Sequence, residues 1–138
     1  MTTQSTITRL RIPDGQRINH TATLFGAHFP FNLEPFVYGV TSKMVRDYHG
    51  GYWEFYTLSN GGFYMAPNTA KIFAVTCENG FEGTLSADAL GITACLYAYS
   101  HLSFGEGEFA ETCAQQYHWL REYMFGHAEA WAILSAID

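Results

Sequence analysis

Hydrophobic side chains are most densely patterned in residues 50–67, which read GGYWEFYTLSNGGFYMAP. The run from Tyr52 to Leu58 is rich in aromatic residues that favour β-strands, and a second apolar run starts at Phe63. Between them, the Ser-Asn-Gly-Gly sequence at 59–62 suits a tight turn, because glycine and asparagine tolerate positive φ. The pattern predicts a β-hairpin with a two-residue turn.

A two-residue turn would also decide which hairpin residues share a face, since side chains alternate along each strand. One face is then expected to carry Tyr52, Glu54, Tyr56, Leu58, Phe63 and Met65. The other is expected to carry Trp53, Phe55, Thr57, Tyr64 and Ala66. Both sets are largely apolar, so we expect both faces to be covered, either by helices or by helices and a partner protein.

The remaining periodicities predict one more strand and several helices. Residues 71–77 alternate as a third strand, which the short 68–70 connection would pair beside the second as a meander. Ser86 can N-cap a helix that is apolar nearly all round, with Gly91, Ala94 and Ala98 forming a ridge of small residues. Further helices are predicted over residues 20–29, 34–48, 109–124 and 127–137.

Together these elements predict an α+β fold in a single domain. We expect a three-stranded antiparallel β-meander packed with four to five α-helices over residues 20–138. Residues 1–19 are rich in Thr and Ser, contain a Pro-Asp-Gly turn and lack a helical stripe, so they are expected to form a loosely ordered N-terminal arm.

Composition narrows the class of protein. Of 138 residues, 48% are hydrophobic and 14% are charged, which suits a folded domain with a substantial core. No apolar run approaches the roughly 18 residues of a membrane span, and the N-terminus lacks the apolar centre of a signal peptide. We therefore expect a cytoplasmic protein. Cys77, Cys95 and Cys113, each 18 residues from the next, fit reduced core thiols.

Charge argues against binding to nucleic acid. The net charge is −6, and residues 69–138 carry nine acidic against two basic side chains. Binding to phosphates needs a basic patch, and the only basic cluster is Arg9, Arg11 and Arg17 on the predicted arm. His118 with Glu122 is the nearest approach to a metal-ligand pair on a helix, and two ligands are too few to indicate a site. No cofactor or metal is predicted.

Two stretches resemble a known family: the hairpin signature GGYWEFYTLSNGGFYMAP and the helical sequence LSADALGITACLYAYSHL at 85–102. With the similar chain length, they resemble the ArdB/KlcA family of antirestriction proteins. This resemblance implies an intracellular inhibitor, carried by mobile elements such as plasmids, that blocks DNA cleavage but not methylation by host type I restriction-modification systems. It implies no catalysis, and it sets the chain apart from the highly acidic DNA mimics.

Two alternative functions arise from the residues themselves. Glu54, approached by Glu82, could make a small carboxylate-dependent hydrolase or lyase, although no catalytic motif surrounds it. An acidic DNA mimic is the second alternative, with Glu106, Glu108 and Glu111 as its only local cluster. Duplex DNA presents one charge per ~1.7 Å of axis, so even thirteen aligned acids would imitate only roughly 22 Å of it.

Protein contact is therefore the mechanism that we expect. The partner would be the type I restriction enzyme complex or an accessory host protein, with no direct contact to nucleic acid or membrane. The chain itself is expected to be a monomer or a weak dimer. Tyrosine and tryptophan are the residues that most often anchor interfaces. The candidate contact residues are Tyr52, Trp53, Glu54, Asn60, Tyr64 and Asp88.

Overall fold

A computed structural model describes residues 6–138 as an α+β fold with two antiparallel sheets and five α-helices. The strands are β1 (Arg9–Arg11), β2 (Trp53–Leu58), β3 (Phe63–Pro67), β4 (Ile72–Thr76) and β5 (Glu82–Ser86). The helices are α1 (Arg17–Phe25), α2 (Glu34–Met44), α3 (Ala87–Leu102), α4 (Glu108–Met124) and α5 (Ala130–Ile137). A π-helical turn at Phe29–Leu33 leads directly into α2.

The predicted fold class is confirmed, but the third strand of the main sheet is not the predicted one. The main sheet has the order β1-β2-β3, whereas β4 pairs with β5 in a separate two-stranded sheet. The predicted pairing of residues 71–77 beside β3 is therefore wrong. The physical reason is that helices occupy the outer edge of β3, as shown below, so β4 pairs elsewhere.

The third strand comes from the predicted N-terminal arm. Strand β1 pairs antiparallel with β2, placing Arg9 opposite Leu58 and Arg11 opposite Tyr56. A short helical turn at Asp14–Gln16 and the start of α1 follow, so residues 9–19 differ from the loosely ordered arm that we expected. The first five residues of that arm lie outside the described residues. Strand β1 was hard to predict because an alternation of only three residues is too short to identify a strand, and its partners lie far along the chain.

The hairpin turn has three residues instead of two. The Leu58 N–H donates to the Gly62 carbonyl (2.8 Å) and the Gly61 N–H to the Leu58 carbonyl (2.9 Å), with Gly61 at φ +102°. The extra residue shifts the pairing by one position, so Tyr64 lies opposite Tyr56. The predicted division of the hairpin into faces is therefore wrong for β3. Glu54 and Tyr56 share a face with Tyr64, and Phe55 shares the other with Phe63.

The outer edge of β3 is sealed by helix side chains. The Leu58 N–H to Gly62 carbonyl bond makes Tyr56 and Tyr64 a hydrogen-bonded pair as well, because such pairs alternate along an antiparallel ladder. The backbone groups of Phe63 and Met65 therefore point away from β2. The Phe63 N–H donates to Gln116 Oε1 (2.8 Å), and the Phe63 carbonyl accepts from the Tyr99 hydroxyl (2.8 Å). The Met65 carbonyl accepts a weak bond from Cys95 Sγ (3.6 Å). Helices α3 and α4 thus take the place that another strand would fill.

Small residues allow α3 to approach this edge, as the sequence predicted. A Cβ atom built on Gly91 would lie 2.3 Å from the Ala66 Cβ and 2.4 Å from the Met65 carbonyl oxygen. Only glycine fits this contact. Ser86 caps the helix as expected, accepting the Ala89 N–H at 3.1 Å. The helix is buried over most of its length, since eleven of its sixteen residues are buried.

The opposite face of the hairpin packs on aromatic rings from α1 and from the π-helical turn before α2. Phe63 makes edge-on contacts with Phe25, Phe29 and Phe55, with ring centroids 5.6–5.7 Å apart. All five residues of β3 are buried, so the expected cover on both faces is present at this strand. The three cysteines are free thiols in the core. Within residues 6–138, no helix has both the length and the apolar character to cross a bilayer.

The Gly91 contact generates a stability prediction. Gly91→Ala should lower the free energy of unfolding by about 3 kcal/mol, because its methyl group overlaps the backbone of β3. The matched control is Gly39→Ala in α2, where nothing lies within 4 Å of the added methyl. There alanine should raise stability by about 0.5–1 kcal/mol through its higher helix propensity. Chemical denaturation of the three proteins measures both changes, and equal stabilities would contradict the close-packed contact.

Candidate partner-contact surface

Two hydrogen-bonded networks lie on the sheet face that carries Arg9, Arg11, Glu54 and Tyr64. We call the first the Asp88 network: Arg9, Tyr64, Asp88 and His127. We call the second the Glu54 network: Arg11, Asp14, Arg17, Tyr52 and Glu54. Together they contain four of the six predicted contact residues, namely Tyr52, Glu54, Tyr64 and Asp88, so this face is the candidate functional surface.

Asp88 sits in the first turn of α3 and has both carboxylate oxygens engaged. Its Oδ1 accepts from the Tyr64 hydroxyl (2.8 Å) and from Arg9 Nη1 (2.6 Å), while Oδ2 lies 2.8 Å from His127 Nε2. Arg9 Nη1 also lies 2.7 Å from the Tyr64 hydroxyl. The network therefore ties β1 and β3 to the start of α3 and to the turn before α5.

The proton of His127 can be placed from its partners. Its Nδ1 accepts the Glu129 N–H at 3.0 Å, so the neutral ring carries its proton on Nε2 and donates it to Asp88. The Glu129 carboxylate accepts from the Ser86 N–H (2.9 Å) and from the Ser86 hydroxyl. Ser86, the N-cap of α3, and Asp88 therefore both bind the turn before α5, through Glu129 and His127. These bonds stabilise the packing of α3 against that turn.

The Glu54 network neutralises a buried carboxylate. Arg11 Nε donates to Glu54 Oε2 at 2.5 Å, and Arg17 Nη2 lies 3.6 Å from the same oxygen. Arg17 also stacks over the rings of Phe55 (4.3 Å) and Tyr52 (4.8 Å). The Tyr52 hydroxyl donates to Asp14 at 2.5 Å. The arginines of the N-terminal segment therefore form ion pairs mainly with carboxylates of this chain.

The comparisons with known proteins decide the family. The family model described as antirestriction protein matches residues 46–138. The chain belongs to the antirestriction protein family. Two Escherichia coli proteins named antirestriction protein KlcA are 39% and 41% identical to it, with alignments spanning 96% and 97% of this chain and 95% of each relative. An uncharacterized protein of E. coli K12, YafX, is 42% identical over 92% of this chain and 85% of its own.

A solved structure extends the likeness to the whole fold. It superposes on this antirestriction protein with a TM-score of 0.90 at 38% identity, and it covers 100% of this chain and 99% of its own. The structure comes from work on the KlcA and ArdB proteins, which are described as having a novel fold and antirestriction activity against type I DNA restriction systems in vivo but not in vitro. The resemblance noted in the sequence is thus confirmed at the level of family and fold.

The predicted contact residues of this antirestriction protein fall into two groups. Trp53, Glu54 and Tyr64 are buried, which leaves them little surface to offer a partner. Asn60 lies at the hairpin tip, where its Nδ2 donates to the Trp119 carbonyl of α4 at 2.9 Å. Tyr52 is 49% exposed, and Asp88 is partly exposed at the rim of its network. Only these last two combine accessibility with the chemistry of a contact.

Sequence analysis missed the most exposed apolar side chains of this antirestriction protein. Those exposed by half or more are Leu10, Ile18, Phe31, Ile72, Phe104, Phe125 and Trp131. A signal was present for Leu10, because the Arg-Leu-Arg alternation at 9–11 is that of a short strand. Ile18 gave no such signal, because its spacing of three and seven residues from the buried Thr21 and Phe25 places it on their helical stripe. Within residues 6–138, no group of three or more His, Cys, Asp or Glu converges as metal ligands would.

The Asp88 network makes the free energy of unfolding of this antirestriction protein depend on pH in the acidic range. Burial alone would raise the pKa of Asp88, but the bonds from His127 and Tyr64 and the charge of Arg9 outweigh it and lower the pKa below 3.8. A carboxyl whose pKa is lower in the folded state stabilises the protein above its unfolded pKa. It loses that contribution as the pH falls through the folded value.

Asp88→Asn should therefore reduce the free energy of unfolding by about 2 kcal/mol at pH 7, since it replaces charge-assisted hydrogen bonds. The difference from the parent protein should shrink as the pH is lowered from about 5 to about 2, because the parent's carboxyl becomes protonated. Denaturation curves across this range measure it, with Asp47→Asn as an exposed control outside the network. A difference that stays constant down to the lowest pH would contradict the assignment.

Proposed function

We propose that this protein protects incoming mobile-element DNA by inhibiting cleavage by host type I restriction-modification systems, through contact with a protein. The observation that carries the proposal is the whole-chain likeness, at a TM-score of 0.90, to a protein from work that reports this activity for KlcA and ArdB. We further propose that it acts in the bacterial cytoplasm, without catalysis, and leaves methylation of the same DNA intact.

The partner that fits best is an accessory host protein. The antirestriction activity described for KlcA and ArdB occurs in vivo but not in vitro. An inhibitor that bound the restriction enzyme directly would act on the purified enzyme as well, provided that the affinity were adequate. Activity that is lost with purified components favours a requirement for another cellular protein. A direct but weak contact with the restriction complex is the alternative.

The distribution of acidic groups supports protein contact over DNA mimicry. At least four of the thirteen carboxylates, those of Asp14, Glu54, Asp88 and Glu129, accept hydrogen bonds within the fold. They are thus unavailable as free surface charges that could imitate phosphates. The remainder could imitate at most about 15 Å of duplex at one charge per ~1.7 Å, even if they were aligned.

The arrangement around Glu54 also gives little support to a hydrolase. A general acid or base needs an oxygen within hydrogen-bond reach of substrate. One oxygen of Glu54 is bound by Arg11, and the other lies 3.5 Å from Asn68 Nδ2. Glu82, the predicted second carboxylate, lies in β5 of the other sheet.

Efficiency of plating tests the proposal directly. Unmodified phage should plate at least about tenfold better on a type I restricting host that expresses this protein than on one that does not. Progeny phage DNA recovered from the same cells should be methylated by the host system, because only cleavage is inhibited. Equal plating on the two hosts would contradict the proposed function.

Two variants in the same assay separate protein contact from the alternatives. Neutralising Glu106, Glu108 and Glu111 together with glutamine should leave the relief unchanged, whereas a DNA mimic would lose it. The matched control makes the same charge change at Glu78, Glu82 and Glu122. Glu54→Gln should keep the relief in protein that remains folded, and its complete loss there would favour an enzyme.

A further inference from the structure

The two edges of the main sheet differ in whether their outward backbone groups have hydrogen-bond partners. The β3 edge is sealed by Tyr99, Cys95 and Gln116. Strand β1 forms the other edge. Its neighbours Thr8 and Ile12 direct their backbone groups at β2, through the Ser59 N–H to Thr8 carbonyl bond and the Ile12 N–H to Phe55 carbonyl bond, both 2.8 Å. Antiparallel pairing alternates, so the N–H and C=O groups of Arg9 and Arg11 point outward.

The side chains of β1 leave this edge accessible. Charged side chains often protect a sheet edge by extending over it. Here Asp88 draws Arg9 onto the sheet face, and Glu54 does the same to Arg11. Leu10, on the opposite face, is 70% exposed. Within residues 6–138, the outward backbone groups of Arg9 and Arg11 have no hydrogen-bond partner.

The arginines still have donors to offer. Arg9 makes its bonds to Tyr64 and Asp88 from Nη1 alone, and its side chain is 41% exposed. Arg11 uses Nε and Nη2, and its side chain is 50% exposed. A carboxylate on a neighbouring strand could therefore bond the remaining guanidinium nitrogens without breaking the two networks.

We propose that β1 is the docking edge for an extended acidic segment of the partner protein, which adds a fourth strand to the sheet. Backbone hydrogen bonds from Arg9 and Arg11 would hold the segment, and side chains would select it. The complement of Arg-Leu-Arg is an acidic, an apolar and an acidic residue in alternation. This inference deepens the proposed function, on which it rests, by assigning a surface and a partner chemistry to it.

Charge and shape favour this occupant. A second copy of the chain, paired antiparallel about Leu10, would set Arg9 opposite the second copy's Arg11, and like charges opposite each other destabilise a sheet. Residues 69–138 are acidic and repel an acidic segment, which would direct it to the N-terminal strand. An apolar groove of about 430 Å³ lies on the sheet face of Leu10, where it is lined by Phe55 of β2 and by Ile18, which is 82% exposed. This groove would accept an apolar side chain of the partner segment, from a residue that follows the added strand.

Charge variants at Leu10 test the proposal in the plating assay. Leu10→Glu should reduce relief of restriction at least about tenfold, whereas Leu10→Lys should reduce it less, because only glutamate repels an acidic segment. Ile72→Glu is the control, since Ile72 is similarly exposed (60%) on a strand of the other sheet, and it should keep full relief. Purified variants should melt within about 2 °C of the parent, because both positions are exposed.

A backbone variant distinguishes strand pairing from a general surface contact. Arg9→Pro removes an outward N–H that β2 does not use, in addition to the side chain, whereas Arg9→Ala removes the side chain alone. Relief should fall further with proline than with alanine. If Leu10→Glu gave the same relief as the parent, the docking edge would be refuted while the proposed function would stand. If Leu10→Lys caused a greater loss than Leu10→Glu, the proposal of an acidic partner segment would be refuted. Absence of relief by the parent would refute the proposed function and this inference with it.

Discussion

The close contact between helix α3 and strand β3 is the constraint on which the rest of the fold depends. Gly91 brings the helix backbone against Ala66 and Met65, and this approach places Tyr99 and Cys95 over the outward carbonyls of the strand. Gln116 of α4 completes the seal at Phe63. Because β3 is closed on this side, β4 must find another partner and forms a second sheet with β5. The aromatic hairpin is thereby enclosed without a fourth strand.

Much of this arrangement was predictable from local sequence. The Ser86 cap, the small-residue ridge of α3 and the strand character of the hairpin each depend on residues close together in the chain. The number of residues in the turn was not predictable, because Ser-Asn-Gly-Gly suits either a two- or a three-residue loop. That single residue changed which side of the sheet Tyr64 faces, and so decided that it meets Asp88.

The candidate site was predicted less completely than the fold. Tyr64 and Asp88 were both singled out, but their partners Arg9 and His127 lie 79 and 39 residues from Asp88, beyond the reach of any local pattern. The N-terminal arginines suggested a surface arm, whereas Arg9 neutralises Asp88 of α3 and Arg11 neutralises Glu54 of β2. Pairing turns these basic side chains into part of the fold and leaves Leu10 exposed between them. Among the described residues, β1 therefore forms an edge of the main sheet at which the outward backbone groups of Arg9 and Arg11 have no hydrogen-bond partner.

Native-state amide hydrogen exchange tests this contrast between a sealed and an open edge most directly. The Phe63 amide, bonded to Gln116, should exchange only through near-global unfolding, and the Leu10 amide, which faces β2, should be protected within its strand. The amides of Arg9 and Arg11 should exchange far faster than either. Protection of Arg9 and Arg11 equal to that of Leu10 in the isolated protein, or rapid exchange at Phe63, would contradict this contrast.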